Sequence, residues 1–372
     1  MTEAAKAAEL QSVASQFRLH GRLVESAPYG SGHINDTFVL VYDQAGARVR
    51  YILQRVNHRV FKNVPGLMEN IQRVSAHLSG KLAADAQADA RGALTLVPTL
   101  AGGSFHQDAQ GCFWRVYLFI EGAKTYDVIE TTTQARAAAS AFGQFQVLLA
   151  DIPGARMHET IPDFHDTPKR FARFEEMLAA NPAGRAAGAG PEIEQALAWK
   201  EQAGRLLKLA AQGGMPERIT HNDTKLNNVM LDDQSGQAVC VIDLDTVMPG
   251  LSLYDFGDMV RTATNAGAED DRDLSRVQCR MDMFEALARG YLSTAAKFLT
   301  KTEVEELHFA GRLLTLECGV RFLTDHLAGD TYFKVHRPNH NLERCRAQFK
   351  LVSDMISKED TMRKLVAQAL SH

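Results

Sequence analysis

The segment ITHNDTKLNNVMLDD places a carboxylate, an ammonium and an amide at the spacing D-x-K-x-x-N, as Asp223, Lys225 and Asn228. Phosphoryl transfer needs few covalent participants: a carboxylate to take or orient the acceptor proton, a cation beside the transferring group, and metal ligands. This spacing supplies all three. Asp223 would take the proton, Lys225 would neutralise charge on the phosphoryl group, and Asn228 would coordinate Mg²⁺ through its amide oxygen. Asp243 follows at the end of an apolar run in VCVIDLDTV, where a carboxylate completes a magnesium shell, with Asp245 as an auxiliary ligand. His221 is expected to brace the loop from within. Any one Asp or Asn here could merely cap a turn, but the joint order is specific.

Asp255-Phe256-Gly257 spells the metal motif of protein kinases, yet it follows Asp243 and opens a helical pattern, Leu253 to Thr262. Asp255 is therefore expected as a helix N-terminal carboxylate reaching back to the catalytic loop. Asp258 and Arg261 are expected to form a surface pair of little worth. On the nucleotide side, Gly30, Ser31 and Gly32 run into a strand and would close over phosphates through backbone amides, although glycines serve hairpin turns equally well. No V-A-I-K motif exists; Arg55, with Gln54 as its alternate, is the stand-in for the phosphate-anchoring lysine, and Glu69 its ion-pair partner. In YLFIEG, Tyr117, Phe119 and Ile120 would present backbone groups to adenine, although an apolar core strand explains most of that stretch.

These residues must be held by elements that the periodicity outlines. After an opening helix at Ala4 to Phe17, short β-branched and apolar runs recur at Thr37 to Tyr42, Val49 to Leu53, Leu94 to Val97 and Phe113 to Ile120, punctuated by glycines. One helix, Pro65 to Leu82, interrupts them with Leu67, Ile71, Val74 and Leu78 at helical spacing. From Thr131 onward the pattern is helical at 133–151, 191–212, 274–298, 301–328 and 340–370, with a β-rich island around the catalytic loop and a low-complexity loop at Ala179 to Pro191. The fold class is therefore α+β and bilobal. Residues 1–119 form a small antiparallel sheet with one helix, and residues 120–372 a larger, mostly α-helical lobe. At 372 residues, two lobes with a cleft between them are the natural arrangement.

A formal net charge of −4 with dispersed basic residues gives no electrostatic reason for a nucleic-acid partner. The five cysteines form no CxxC pair, which points away from zinc and disulfides and towards a reducing compartment. No secretory signal or membrane-length apolar run is legible, so a cytoplasmic protein, monomeric or weakly dimeric, is expected.

Through HNDTKLNNV followed by VIDLD, the chain resembles the kinase-like phosphotransferases typified by aminoglycoside phosphotransferases and choline kinases, which implies a protein-kinase-like fold. Through SGHINDTF, YILQRVN, FIEG, HNDTKLNNVM, IDLDTVMPG, YDFGD, RFLTD and YFKVHR followed by HNLERCRAQFKLV, it looks like the N-acetylhexosamine 1-kinases over residues 30 to 355. That resemblance implies transfer of the γ-phosphate of ATP, with Mg²⁺, to the anomeric oxygen of N-acetylglucosamine or N-acetylgalactosamine. It puts the base on Asp223, a metal aspartate on Asp243, and sugar contacts on Arg321 and Tyr332, with His33 and Asp36 as further candidates. Two other readings stay open. The acceptor could be an aminoglycoside, a muramic-type sugar, an amino alcohol or an unmodified hexose, although Arg321, Lys334 and Arg337 favour a neutral or anionic one. The missing strand lysine leaves room for a non-catalytic binding module.

Overall fold

Alternation along three strands decides the N-terminal architecture. In the computed structural model, which describes residues 3–30, 32 and 34–371, the chain opens with helix α1 (Glu3–Ala14). Strands β1 (Arg22–Pro28), β2 (Asp36–Gln44) and β3 (Ala47–Val56) follow, then helix α2 (Val64–Ala83). Strands β4 (Leu96–Val97), β5 (His106–Gln107) and β6 (Phe113–Leu118) complete one antiparallel sheet, ordered β1-β2-β3-β6-β4 with β5 on β6. The β2–β3 register is set by a two-residue turn in which Ala45 and Gly46 both have positive φ, 56° and 92°, the twist-matched hairpin geometry. Asp43 fastens it by accepting from the Gly46 amide at 2.8 Å.

With the register fixed, the faces follow. Phe38, Leu40, Tyr51, Leu53, Trp114 and Val116 pack under Leu10, Val13 and Ala14 of α1. The intervening residues look the other way. Thr37 pairs with Gln54, Gln54 with Arg115, and Ile52 with Tyr117, so these side chains share the opposite face. On that side α2 contributes Leu67, Met68, Ile71 and Val74 to a core that also holds Tyr117. The expected strand at Leu94 to Val97 forms only at its end, and β1, with mixed exposure and no clean alternation, is an addition to the sequence reading.

The rest of the chain is mostly helical. It runs β7 (Ala123–Lys124), α3 (Thr132–Leu149), α4 (Thr167–Ala180), α5 (Gly190–Trp199), α6 (Arg205–Ala211), β8 (Arg218–Thr220), β9 (Val229–Asp232), β10 (Ala238–Val241) and β11 (Met248–Gly250). Then come α7 (Ser252–Ala263), α8 (Met281–Ala295), α9 (Lys301–Ala328), α10 (His340–Ser357) and α11 (Glu359–Leu370). The small strands form β10-β9-β7 and β11-β8 pairs around the loop 221–228. The expected helix at 191–212 is broken by a 3-10 turn at Lys200–Gly204, and that at 340–370 breaks at Lys358. Helix α4 was not expected, although Asp166 capping the Lys169 amide with Pro168 in the first turn is a start signal.

Helix α7 is buried nearly throughout and lies against α9. A Cβ on Gly257 would sit 2.5 Å from the Ala310 carbonyl oxygen, and one on Gly311 2.3 Å from Val260. The two glycines let the helices touch. Gly257 of the D-F-G triplet therefore serves packing, while Phe256 fills the core. Among the described residues, no helix is long and apolar enough to cross a membrane.

Candidate active site

The loop between β8 and β9 carries the D-x-K-x-x-N residues, and its backbone is held by buried groups. Asp255, at the start of α7, accepts from the His221 and Asn222 amides at 3.0 and 2.7 Å. Thr224 donates its hydroxyl to the Asp255 carbonyl, and Gln146 of α3 donates to the Asp255 carboxylate. The reach-back expected of Asp255 is thus what the structure contains. Burial pushes the Asp255 carboxyl up, against the pull of His221 and these donors.

Asn222 adopts φ 64°, a left-handed conformation that Asn tolerates better than most residues. Its amide secures the kink by donating to the Thr220 and Thr246 carbonyls. His221 is buried, with Nε2 2.9 Å from the Ile242 carbonyl oxygen and Nδ1 accepting from the Asp223 amide. Those partners assign the proton to Nε2.

The candidate base and its neighbours come together as the spacing requires. Lys225 Nζ lies 3.0 Å from Asp223 Oδ1. Burial raises the Asp223 carboxyl, but the opposing pull, led by Lys225 and joined by Arg261 among others, outweighs it, so Asp223 stays below the usual carboxylate range; the Asp223 charge in turn raises Lys225. Asn228 donates its amide nitrogen to the Asp223 carbonyl at 2.8 Å, which leaves its oxygen as the end available to a cation. The Ile242 amide donates to the Asn228 carbonyl at 2.8 Å, so pairing of β9 with β10 sets Asp243 beside Asn228.

Asp243 has φ 58° and remains open to solvent although protein walls it on most sides. Burial, then the charges of Asp245 and Asp223, push it up to about 6. Crowded carboxylates of this kind are relieved by a cation. Asn228 and Asp243 would supply two oxygen ligands to a divalent ion such as Mg²⁺, the rest coming from phosphate and water.

Asp245 has partners of its own. Its side chain is 4% exposed, with Oδ1 2.5 Å from Arg115 Nη1 and Oδ2 accepting from Asn35 at 2.7 Å. Asp245 is thus tied to Arg115 and Asn35 within the fold, bracketing the cleft beside Asp243. Arg115 also donates to Gln54, which donates to Thr37, so a polar chain crosses the cleft face of the sheet. Burial lowers the Arg115 pKa, but Asp245 outweighs it and the guanidinium is held charged.

Arg55 is excluded from this group by parity. It shares the α1 face with Leu53, pairs with Asp36 at 2.6 Å and lies 3.9 Å from Glu9 of α1. Asp36 is thereby also turned from the cleft, and its neighbour Asn35 is the residue that reaches in. Glu69 binds His158 at the surface instead of Arg55. The buried Asn70 beside it ties α2 to the His158 and Val247 backbone. Arg115 and Asn35 escaped the sequence reading; the usable signal was a lone charge inside the apolar run FWRVYLFI.

A cavity of about 500 Å³ opens on the cleft face, lined by Tyr29, Val39, Val41, Arg50 and Glu121 among others. Tyr29 meets Phe119 edge-on at 5.5 Å, and the Arg50 guanidinium stacks on Phe119 at 3.8 Å while bonding Glu121. Phe119 and Ile120 thus lie in the connection that borders this cavity, and Tyr117 is buried on the same face. Gly30 has φ 79°, and a side chain at Gly32 would meet nothing within 4 Å. Ser31 and His33 lie outside the described residues.

Arg321 and Tyr332 are brought together. The guanidinium lies 6.0 Å from the Tyr332 ring centre, 5.5 Å from Phe333 and 5.8 Å from Phe164. Among the described residues Arg321 has no salt bridge within 4 Å. The loop bearing Tyr332 is stapled by Asp325, which accepts from the Thr331, Tyr332 and Phe333 amides and from Asn341. Asp258 and Arg261, expected at the surface, are instead buried and joined at 2.8 Å, and the Asp258 charge acts on Lys225. Arg337 is paired with Asp270 and Glu343, so it is committed to the fold.

The description "phosphotransferase enzyme family" belongs to the family model that matches residues 25–292. Among solved structures, a microcompartment-associated aminopropanol kinase superposes with a TM-score of 0.57 at 16% identity, covering 95% of this chain and 98% of that one. An aminoglycoside phosphotransferase from Alicyclobacillus acidocaldarius gives 0.57 at 13% identity, covering 97% and 96%. A spectinomycin phosphotransferase in complex with ADP and spectinomycin gives 0.51 at 12% identity, covering 91% and 94%.

Proposed function

Because the chain belongs to the phosphotransferase enzyme family, we propose that it transfers the γ-phosphoryl group of ATP to a small-molecule hydroxyl, and that this hydroxyl is the anomeric one of an N-acetylhexosamine. The observation that carries the reading is the convergence of Asp223, Lys225, Asn228 and Asp243 on one braced loop and the strand end beside it. Asp223, kept ionised by Lys225, accepts a hydrogen bond from the acceptor hydroxyl and takes its proton as the new phosphate bond forms. Lys225 offsets charge on the transferring group. A divalent cation held by Asn228 and Asp243 would supply charge neutralisation at the nucleotide phosphates. Arg115, locked to Asp245 and bonded to Gln54, supplies a buried cation on the cleft face of the sheet.

The sugar acceptor is supported by the resemblance through RFLTD and YFKVHR and by the setting of Arg321, a guanidinium with no ion-pair partner among the described residues, set amid aromatic rings beside Tyr332. Such a wall suits a neutral, hydroxyl-rich ring and opposes a polycationic aminoglycoside. ADP release measured over N-acetylglucosamine, N-acetylgalactosamine, plain hexoses, amino alcohols and aminoglycosides tests this, with phosphorus NMR on the product to distinguish an anomeric phosphate from a 6-phosphate. Asp223→Asn should lose at least about 10²-fold in kcat, the scale of a positioned general base. Turnover only with amino alcohols or aminoglycosides would move the acceptor; undiminished turnover in the variant would remove Asp223 as the base.

A further inference from the structure

The peptide between Asn222 and the candidate base has a buried partner of its own. His165, in the connection before α4, places Nε2 2.9 Å from the Asn222 carbonyl oxygen and Nδ1 2.9 Å from Glu317 Oε1 on α9. Thr167 donates its hydroxyl to the other Glu317 oxygen at 2.7 Å. The two side chains are 7% and 2% exposed. A carbonyl oxygen only accepts, so Nε2 must carry a proton. Glu317, already accepting from Thr167, is satisfied as a carboxylate by a second proton on Nδ1. A neutral ring facing a protonated Glu317 would fit the same distances; with Glu317 ionised, both ring nitrogens are donors and the ring is an imidazolium.

The electrostatics agree. Burial alone would lower His165 and raise Glu317, yet each acts on the other strongly enough that His165 is raised and Glu317 lowered. The other charged and titratable groups facing the pair are Asp258 and Tyr254 from α7, Arg321 from α9 and Arg170 from α4.

Resting on the reading of Asp223 as the base, we propose that His165 and Glu317 are a positioning pair that fixes the direction of the Asp223 carboxylate. Asp255 holds the amide side of Asn222 and His165 holds its carbonyl, so the left-handed kink before Asp223 is clamped from both sides. Glu317 lies one helical turn before Arg321, which places the acceptor wall and the brace of the base on a single rigid helix. An acceptor seated against Arg321 is therefore registered to Asp223 through α9.

Two substitutions separate positioning from space filling. His165→Phe keeps a planar ring but loses the donor to Asn222; His165→Gln places an amide N–H close to the position of Nε2. With the wild-type acceptor established by ADP release, H165F should lower kcat about tenfold or more, on the scale of a misplaced reacting group, with KM for ATP little changed. H165Q should recover most of that loss. Phe matching or exceeding Gln in kcat would overturn the proposal. Nitrogen-15 NMR of the wild-type protein, with the His165 signals assigned by their disappearance in H165Q, should show both ring nitrogens protonated at neutral pH. A single protonated nitrogen would overturn the charged pair even if H165F failed to fold. Absence of turnover by the wild type on every acceptor would sink the kinase reading, while the NMR result would still decide the state of the pair.

Discussion

Arg55 and Arg115 lie on adjacent strands of one sheet, and opposite faces give them opposite work. Arg55 is on the α1 side, its side chain 38% exposed, paired with Asp36 and near Glu9. Arg115 is on the cleft side, 1% exposed, paired with Asp245 and bonded to Gln54. Both are arginines in apolar strands with a carboxylate partner. What separates them is strand parity: Arg55 follows the face of Leu53, whereas Gln54 and Arg115 stand opposite each other in register. One residue of register therefore decides whether a guanidinium trims the surface or braces the cleft.

Replacing Arg115 with Met should break this contrast most severely. It leaves the Asp245 carboxylate buried without its cation, a loss of about 3–5 kcal/mol when one partner of a buried pair is removed. Denaturant unfolding measures it, and on the proposed kinase reading the KM for ATP should rise in parallel, because Asp245 lies two residues from the candidate metal ligand Asp243. A stability change under about 1 kcal/mol, the range of an exposed pair, would show that the two arginines are equivalent after all. Next in size is Asn35→Ala. Asn35 donates to Asp245 Oδ2 and accepts from the Asn57 amide, so its removal strands part-buried polar groups at a cost of about 1–3 kcal/mol. Equal unfolding midpoints for N35A and wild type would mean that water replaces it without loss.

Asp243 tests the cleft side by pH. Its folded-state pKa, pushed up to about 6 by burial and by Asp245 and Asp223, lies above the ordinary aspartate value of about 4. The folded protein then binds the proton more tightly than the unfolded chain, so stability from this group is fully present below about pH 4 and is lost as pH rises through about 6. Without divalent cation, wild-type melting temperature should fall between pH 5 and 7 relative to Asp243→Asn, with D243N the more stable at pH 7 by no more than about 1 kcal/mol, since solvent reaches this carboxylate. A wild-type and variant difference that does not change over that interval would contradict the crowding.

The convergence of the candidate catalytic residues was legible because it is local. Asp223, Lys225 and Asn228 share one loop, β9 and β10 carry Asp243 to them by a short hairpin, and the reach of Asp255 follows from its place at a helix start. Helices α3 and α9 were legible for a similar reason, as each opens on a capping box and has a long helical run. What depended on packing across long separations was not. Arg115 finds Asp245 and His165 finds Glu317 only after the lobes and helices are assembled, and no local period announces either pair. Asp258 and Arg261 were misjudged on the same ground: an i, i+3 pair is usually exposed, but α7 is enclosed by its neighbours. The neighbours Asn35 and Asp36 likewise part only in the folded chain, Asn35 bonding to Asp245 while Asp36 begins the α1 face and pairs with Arg55.

The smallest expected effect completes the comparison. Arg55→Met removes an ion pair with Asp36, a distant contact with Glu9 and a guanidinium 5.6 Å from the Trp114 ring centre. All are partly solvated, and the Met side chain can still cover the edge of Trp114, so the loss should be about 0–1 kcal/mol and should shrink further in high salt. Because the residue lies on the far side of the sheet from Asp223 and Asp243, the KM for ATP should not move with it. A rise in that KM comparable to that of Arg115→Met would mean that Arg55 reaches the phosphates in the working enzyme, and that the face assigned to it by the β2–β3 register is not the face on which it acts.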